Sequence, residues 1–190
     1  GNQRFLAGQA QAHDYLAQKR ASADGQYPAA VILSCIDSRA PAEILLDTGI
    51  GEAFNARIAG NIANEDILGS MEFACKVAGS KLIVVLGHTK CGAVKGACDH
   101  VEMGNLTALL SKLRPAVEDE IMTKSERNSK NSEFVENVAS INVRRTVDAI
   151  MERSYILHEM IKKDEIGICG AMYNVETGIV EFYDDTVKIK

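Results

Sequence analysis

Two short stretches of the chain are apolar at nearly every position, and each runs directly into a residue able to bind a metal. Ala29-Ala30-Val31-Ile32-Leu33-Ser34 leads into Cys35, and Lys81-Leu82-Ile83-Val84-Val85-Leu86-Gly87 leads into His88. A continuous apolar run of this length, without alternation, marks a strand buried on both faces. Between the two, the pattern predicts a helix from about Pro41 to Leu46, a strand around Phe54 to Ala59 and a longer helix from Glu65 to Val77. Strands alternating with helices in this way argue for a parallel α/β sheet.

Beyond His88, apolar residues recur at helical spacing over Leu106 to Leu113 and over Val143 to Ile161, while the Ser/Asn-rich stretch Ser125 to Ser132 reads as a loop. Ile166 to Tyr173 is strand-like, Asn174 to Gly178 is a turn, and Ile179 to Tyr183 alternates, which predicts an antiparallel edge strand. Gly1 to Arg20 reads as one or two amphipathic helical segments, able to pack on the same chain or on a partner. The expected fold is therefore α/β: a mainly parallel central sheet of about four parallel strands plus an antiparallel edge strand, flanked by helices, with an N-terminal helical arm. No repeat, low-complexity tract or linker divides the sequence, so residues 1–190 are expected to form a single domain.

Composition narrows the function. With 46% hydrophobic and 25% charged residues, a chain of 190 residues can bury a core by itself. Its 21 Lys and Arg against 26 Asp and Glu offer no basic stripe for a phosphate backbone, which argues against nucleic acid as a partner. No apolar run approaches the roughly 20 residues of a membrane helix. A cytoplasmic protein is expected; the start Gly1-Asn2-Gln3-Arg4 has no signal pattern, but it has no initiator Met either, and an organelle reached after removal of a targeting segment stays open. Five cysteines in no regular framework point to a reducing compartment, where Cys near His and Asp suggests metal binding or catalysis.

Two constellations carry the chemistry: Cys35-Ile36-Asp37-Ser38-Arg39 after the first buried strand and His88-Thr89-Lys90-Cys91-Gly92 after the other. Open α/β sheets gather functional residues outside the carboxyl ends of their strands, so these segments can converge. Two thiolates and one imidazole suit zinc, and three protein ligands leave a position open, as in catalytic sites. Asp37 is close enough in sequence to Cys35 to reach the metal or its water, and Arg39 can hold that carboxylate ionised. Two thiolates cancel the charge of the cation, so its water should be acidified less than at a three-His site, and activity should favour mildly alkaline pH. A rival cluster of His88, Cys91, Cys98 and His100 fails on geometry, because a helix from Cys91 to Cys98 would separate those thiols by roughly 10 Å. Cys75, Cys98 and Cys169 are read as structural, and His13, His100 and His158 as surface or helix-face residues. Phe54 and Phe73 alone read as core aromatics. Gly49-Ile50-Gly51 lacks the spacing of a dinucleotide fingerprint.

C-x-D-S-R followed about fifty positions later by H-x-x-C-G resembles the β-class carbonic anhydrases. The likeness extends through Gly51-Glu52-Ala53-Phe54, Arg57-Ile58-Ala59-Gly60-Asn61, Asn142-Val143-Arg144-Arg145 and Gly170-Ala171-Met172-Tyr173. The resemblance implies an enzyme with one Zn2+ per chain on Cys35, His88 and Cys91, with Asp37 able to swing onto the metal. It implies a zinc-bound hydroxide, oriented by the Asp37-Arg39 dyad, that attacks carbon dioxide to give bicarbonate and a proton. For the substrate pocket it implies the amide of Gln26, the backbone N–H of Gly92 and an apolar wall of Phe54, Ala59 and Phe73, where many relatives carry Phe, Val and Tyr. It further implies a homodimer or higher homo-oligomer, tetramers included, with residues 1–25 packing on a partner subunit and active sites at the interface, so that Gln26 and some pocket residues act across subunits. Relatives with a non-catalytic bicarbonate site carry Trp where this chain has Ile32, so no such site is expected and Arg57 is read as structural. Two alternatives remain: a related zinc hydrolase acting on another small linear electrophile such as carbon disulfide, and a non-catalytic zinc-bearing regulatory homologue, against which the intact Asp37, Arg39 and Gln26 argue.

Overall fold

The computed structural model describes residues 1–188. Helices α1 (Asn2–Leu6) and α2 (Tyr15–Ala21) precede strand β1 (Ala30–Ser34), followed by α3 (Ala42–Leu45), β2 (Ala53–Arg57), α4 (Glu65–Glu72) and β3 (Leu82–His88). The second half holds α5 (Gly92–Cys98), α6 (Gly104–Leu110), α7 (Arg114–Asp119), α8 (Ser132–Arg153), α9 (Tyr155–Lys162), β4 (Gly167–Tyr173) and β5 (Val180–Lys188). Among the described residues, five strands form one sheet in the order β2-β1-β3-β4-β5. Every pair is parallel except β4 with β5. The apolar runs lie where such a sheet needs them: β1, β3 and β4 are interior strands, buried at nearly every position, while β2 and β5 are the less buried edges.

Two apolar layers cover the sheet. Val31, Leu33, Ile83, Val85 and Ile168 face a layer of helices that includes α8, and Ile32, Val84, Leu86 and Ala171 face α3 and the N-terminal arm through Leu45 and Phe5. α8 is seated by absent side chains. A Cβ on Gly87 would lie 2.5 Å from Val143 Cγ2, and one on Gly170 would lie 2.7 Å from Val143 Cγ1. Glycines on neighbouring strands thus make the notch that lets Val143 approach the sheet. Among the described residues no helix is long and apolar enough to cross a membrane.

The expected elements are present, with three differences. The helix expected over Val143 to Ile161 begins at Ser132, where the Asn131 side chain accepts from Phe134 N. It breaks at Ser154, whose Oγ accepts from Leu157 N and donates to Glu72, starting α9. The strand expected to reach Ala59 stops at Arg57, and Ala59 opens a tight 3-10 turn with Gly60 at φ 71°. The antiparallel edge runs past Tyr183 to Lys188.

The N-terminal arm lies along its own chain. Asn2 Nδ2 donates to the carbonyls of Leu45 and Gly178, and its Oδ1 accepts from Val180 N. Asp47, in the left-handed region at φ 51°, has its side chain 2% exposed and accepts from Arg4 Nε and from the backbone N–H of Gln11. His13 Nε2 lies 3.2 Å from the same carboxylate, with Gln18 Nε2 3.2 Å from its other nitrogen. His13 therefore departs from the surface or helix-face reading: it lies before α2, its side chain 8% exposed, pinned to Asp47.

Two outcomes are expected. Gly170→Ala should cost about 1–3 kcal/mol by forcing Val143 away from the sheet, lowering the urea midpoint of unfolding. An unchanged midpoint would mean that α8 shifts without penalty. The Arg4 guanidinium first, then the Gln11 amide and His13, hold Asp47 below the ordinary carboxylate range. Its contribution is thus complete above an unfolded value of about 3.9 and is lost as pH falls through the lower folded one. Asp47→Asn should accelerate proteolysis within residues 1–21 at neutral pH, and pepsin should attack the same segment of the unaltered chain only on acidification below about pH 4.

Candidate metal centre

β1 and β3 are parallel neighbours in register, Ser34 opposite Leu86, so the chain leaves both strands at the same end of the sheet. Cys35 follows β1, and His88 closes β3. Lys90 then turns the backbone through the left-handed region at φ 57°, and Cys91 becomes the residue that caps α5. Cys35, His88 and Cys91 are all buried, and one ligand atom from each lies within 4.8 Å of the others. Among the described residues this is the one group of three or more His, Cys, Asp or Glu close enough to hold an ion. Cys98 is buried at the end of α5 and His100 lies exposed beyond it, so the rival cluster does not form.

The donor atoms suit a metal. The two sulfurs are 4.0 Å apart, close to the about 3.8 Å that two Zn–S bonds at a tetrahedral angle would set. His88 Nδ1 lies 2.9 Å from the carbonyl oxygen of Thr89, which can only accept, so Nδ1 carries the hydrogen and Nε2 keeps its lone pair. That Nε2 is buried and has no hydrogen-bond partner. Buried polar atoms are rarely left unpaired, and a cation between the two sulfurs would satisfy this one.

Electrostatics prepare the same atoms. The contact with the Cys91 sulfur, 4.0 Å away, holds Cys35 well below the ordinary thiol range, with burial opposing and His88 and the Gly60 amide assisting. The same contact, then burial, pushes Cys91 up, and binding a cation through both sulfurs would require both to be deprotonated. Burial lowers His88, but the nearby Cys35 sulfur and its charge, the Thr89 carbonyl and Asp37 together leave it raised. Asp37 Oδ1 accepts from Arg39 Nε at 2.9 Å and Oδ2 from Nη2 at 2.7 Å, a two-pronged grip that holds the carboxyl well below its usual range. Asp37 Oδ2 is 3.8 Å from His88 Nε2, so the carboxylate flanks the donor group.

Several supporting residues were not among the candidates read from the sequence. Gly60 N donates to Cys35 Sγ at 3.4 Å, and Asn142 Nδ2 on α8 holds the Gly60 carbonyl at 2.9 Å. Arg57 ties the carbonyls of Cys35 and Asp37 at 2.9 and 2.7 Å, the structural role expected of it. Gly60 and Asn142 lie within segments that resemble the family, but a backbone amide gives no sequence signal of its own.

The pocket residues divide into two groups. Gly92 directly follows Cys91, and a Cβ there would meet open space; Ala59 adjoins the Gly60 amide that donates to Cys35. Gln26, Phe54 and Phe73 are not brought to the donors of their own chain. Gln26 precedes the amino end of β1, and Phe54 pairs with Val31, roughly 13 Å along the strand from Cys35. Phe54 and Phe73 meet edge to face at 6.2 Å and line a groove of about 660 Å³ whose walls include none of the three donors.

A parallel α/β sheet with a thiolate, imidazole and thiolate converging at its strand ends defines an α/β protein organised around a candidate metal centre. The family described as carbonic anhydrase matches residues 30–180. Carbonic anhydrase 2 of Mycobacterium tuberculosis is 36% identical over 184 residues, covering 94% of this chain and 86% of that protein. The crystal structure of a β-carbonic anhydrase from Aspergillus fumigatus superposes with a TM-score of 0.80 at 28% identity, over 96% of this chain and 87% of that one. A carbon disulfide hydrolase of Acidithiobacillus thiooxidans is 35% identical over 98 residues, 47% of this chain and 45% of that protein. The chain belongs to the β-class carbonic anhydrases, a family of enzymes.

The donor set predicts one transition-metal ion per purified chain by elemental analysis. Cys91→Ser should weaken zinc affinity in chelator competition by more than about 100-fold, beyond the loss from removing a residue that merely supports a ligand. Retention of affinity would show that the ion binds elsewhere.

Proposed function

We propose that the chain catalyses the reversible hydration of carbon dioxide to bicarbonate and a proton, with one zinc ion held by Cys35, His88 and Cys91. The observation that carries this reading is the buried three-donor group with the Asp37-Arg39 pair beside it. When bound, zinc supplies the Lewis acidity that makes a water molecule nucleophilic near neutral pH. Asp37, kept ionised by Arg39, accepts a hydrogen bond from the attacking water and fixes the direction of its lone pair toward the substrate. Carbon dioxide has no charge, so its reception falls to apolar surface, Ala59 from the same chain among it. The N–H of Gly92 donates to an oxygen of the forming bicarbonate, and the proton passes to buffer. Released from Arg39, the Asp37 carboxylate, 3.8 Å from His88 Nε2, would be near enough to join Cys35, His88 and Cys91 in holding the ion, which would take it away from its role toward water.

The site acquires its remaining wall from a second copy. Gln26, Phe54 and Phe73 lie away from the donors of their own chain, and Tyr15, Leu16, Tyr27 and Phe73 are large apolar side chains left exposed. A homo-oligomer in which the outward face of residues 1–25, whose inner face stays bonded to its own chain, meets the partner would cover these side chains and deliver the Gln26 amide and the two aromatic rings to the partner's donor group.

Carbon disulfide is the second reading, favoured by the partial likeness to a hydrolase of that substrate. The relative matched over nearly the whole chain supports carbon dioxide instead.

Stopped-flow hydration of carbon dioxide by the zinc protein tests the proposal between about pH 6.5 and 9. Activity should rise toward alkaline pH. Asp37 is held ionised well below this window, so the rise reports the water and not the carboxylate. Asp37→Ala should lower kcat/KM by about 10²–10⁴-fold at every pH. A zinc-loaded protein silent toward carbon dioxide throughout the range would overturn the assignment, and turnover of carbon disulfide by the same sample would establish the second reading.

A further inference from the structure

Glu136 lies on α8, far in sequence from either motif, and its Oε1 accepts from the backbone N–H of Lys90 at 2.8 Å. Its Oε2 is buried without a hydrogen-bond partner. An unpaired buried carboxylate oxygen is costly, and helix packing alone gives no reason for a carboxylate at this position.

Lys90 is the residue that turns the loop between His88 and Cys91. Its φ of 57° is a conformation that L side chains rarely adopt, so surrounding contacts must hold it. Thr89, one residue earlier, is tied to the β4 end: its N–H donates to the Tyr173 carbonyl at 2.9 Å and its Oγ1 accepts from Val175 N at 3.0 Å. At Lys90 the hold passes to α8. On the far side of the same residue, the Lys90 carbonyl accepts from Arg39 Nη2 at 3.4 Å, the nitrogen that also grips Asp37. The exposed ion pair of Lys90 Nζ with Glu176 adds little.

We propose that Glu136 is a positioning residue for the metal centre: by fixing the Lys90 peptide it sets the direction of Cys91 Sγ and the placement of Arg39 against Asp37. The inference rests on the metal-centre reading above. α8 then supports both thiolates, through Asn142 and Gly60 for Cys35 and through Glu136 and Lys90 for Cys91. The burial of Phe134, Val135 and Val138 holds that end of α8 in place.

Glu136→Ala and Glu136→Gln, compared in the full chain, test this. The alanine variant should bind zinc about 10–100-fold more weakly in chelator competition. It should also change the thiolate-to-metal and d–d bands of the cobalt(II)-substituted protein, and lower kcat with KM little altered. The glutamine variant keeps an acceptor for Lys90 N and should return affinity and spectrum to within about threefold of the unaltered chain. Should the alanine variant fail to fold by circular dichroism, Glu136→Asp, one methylene short of Lys90, replaces it with the same expectation. Unaltered affinity and spectrum in the variant lacking the acceptor would overturn the proposal, as would a glutamine variant equally impaired. Affinity and spectrum are read without turnover, so a zinc protein unable to hydrate carbon dioxide would remove the catalytic reading and leave this comparison standing.

Discussion

The parallel pairing of β1 with β3 is the constraint on which the candidate site depends. Two parallel neighbours in register must end on the same side of the sheet, and here one ends at Cys35 and the other at His88. An antiparallel arrangement would place the two donors at opposite edges. Both strands are interior and buried on both faces, so the donors emerge from elements paired on either side rather than from an isolated loop. Backbone hydrogen bonding thus performs most of the work of bringing the thiolate and imidazole together.

α8 makes that placement accurate. Val143 fits the notch above Gly87 and Gly170, which sets the height of the helix over the sheet. With the helix so fixed, Asn142 reaches the turn that donates to Cys35 and Glu136 reaches the loop that leads to Cys91. A side chain at Gly87 would disturb the seat of the helix and the approach to His88 together. Packing in the core and ligand geometry at the rim are therefore one mechanical problem in this fold.

Much of this was legible in the chain itself. The uninterrupted apolar runs before Cys35 and His88 identified the interior strands because burial on both faces leaves no polar positions. The two motifs singled out Cys35, His88 and Cys91, which the fold brings within 4.8 Å of one another, and Asp37 with Arg39, which it pairs, since metal chemistry restricts residue type as well as spacing. What escaped was non-local or borne by the backbone. The Gly60 amide has no side-chain signature, and Glu136 on α8 resembles any other helix-surface carboxylate until the Lys90 turn is placed beside it. α8 starts well before Val143 because an apolar pattern already runs through Phe134, Val135, Val138 and Ala139, directly after the Ser/Asn-rich approach that masks it. His13 looked like a surface residue because its partner, Asp47, lies beyond the reach of local pattern. For Gln26 and some pocket residues the resemblance implied action across subunits, and within one chain Phe54 lies toward the amino end of β1, away from the donors.

The long sequence separation of the donors also determines when the site can come into being. As the polypeptide is synthesised, Cys35 is a solitary thiol until β3 has emerged and paired, and the turns that aim both sulfurs await α8, still further along. The centre is thus built almost wholly from non-local contacts, the slowest class to form. A short zinc module, by contrast, draws its ligands from one local segment and folds around the ion. Here the donors converge only once the architecture is largely complete, so a metal ion would follow folding rather than nucleate it.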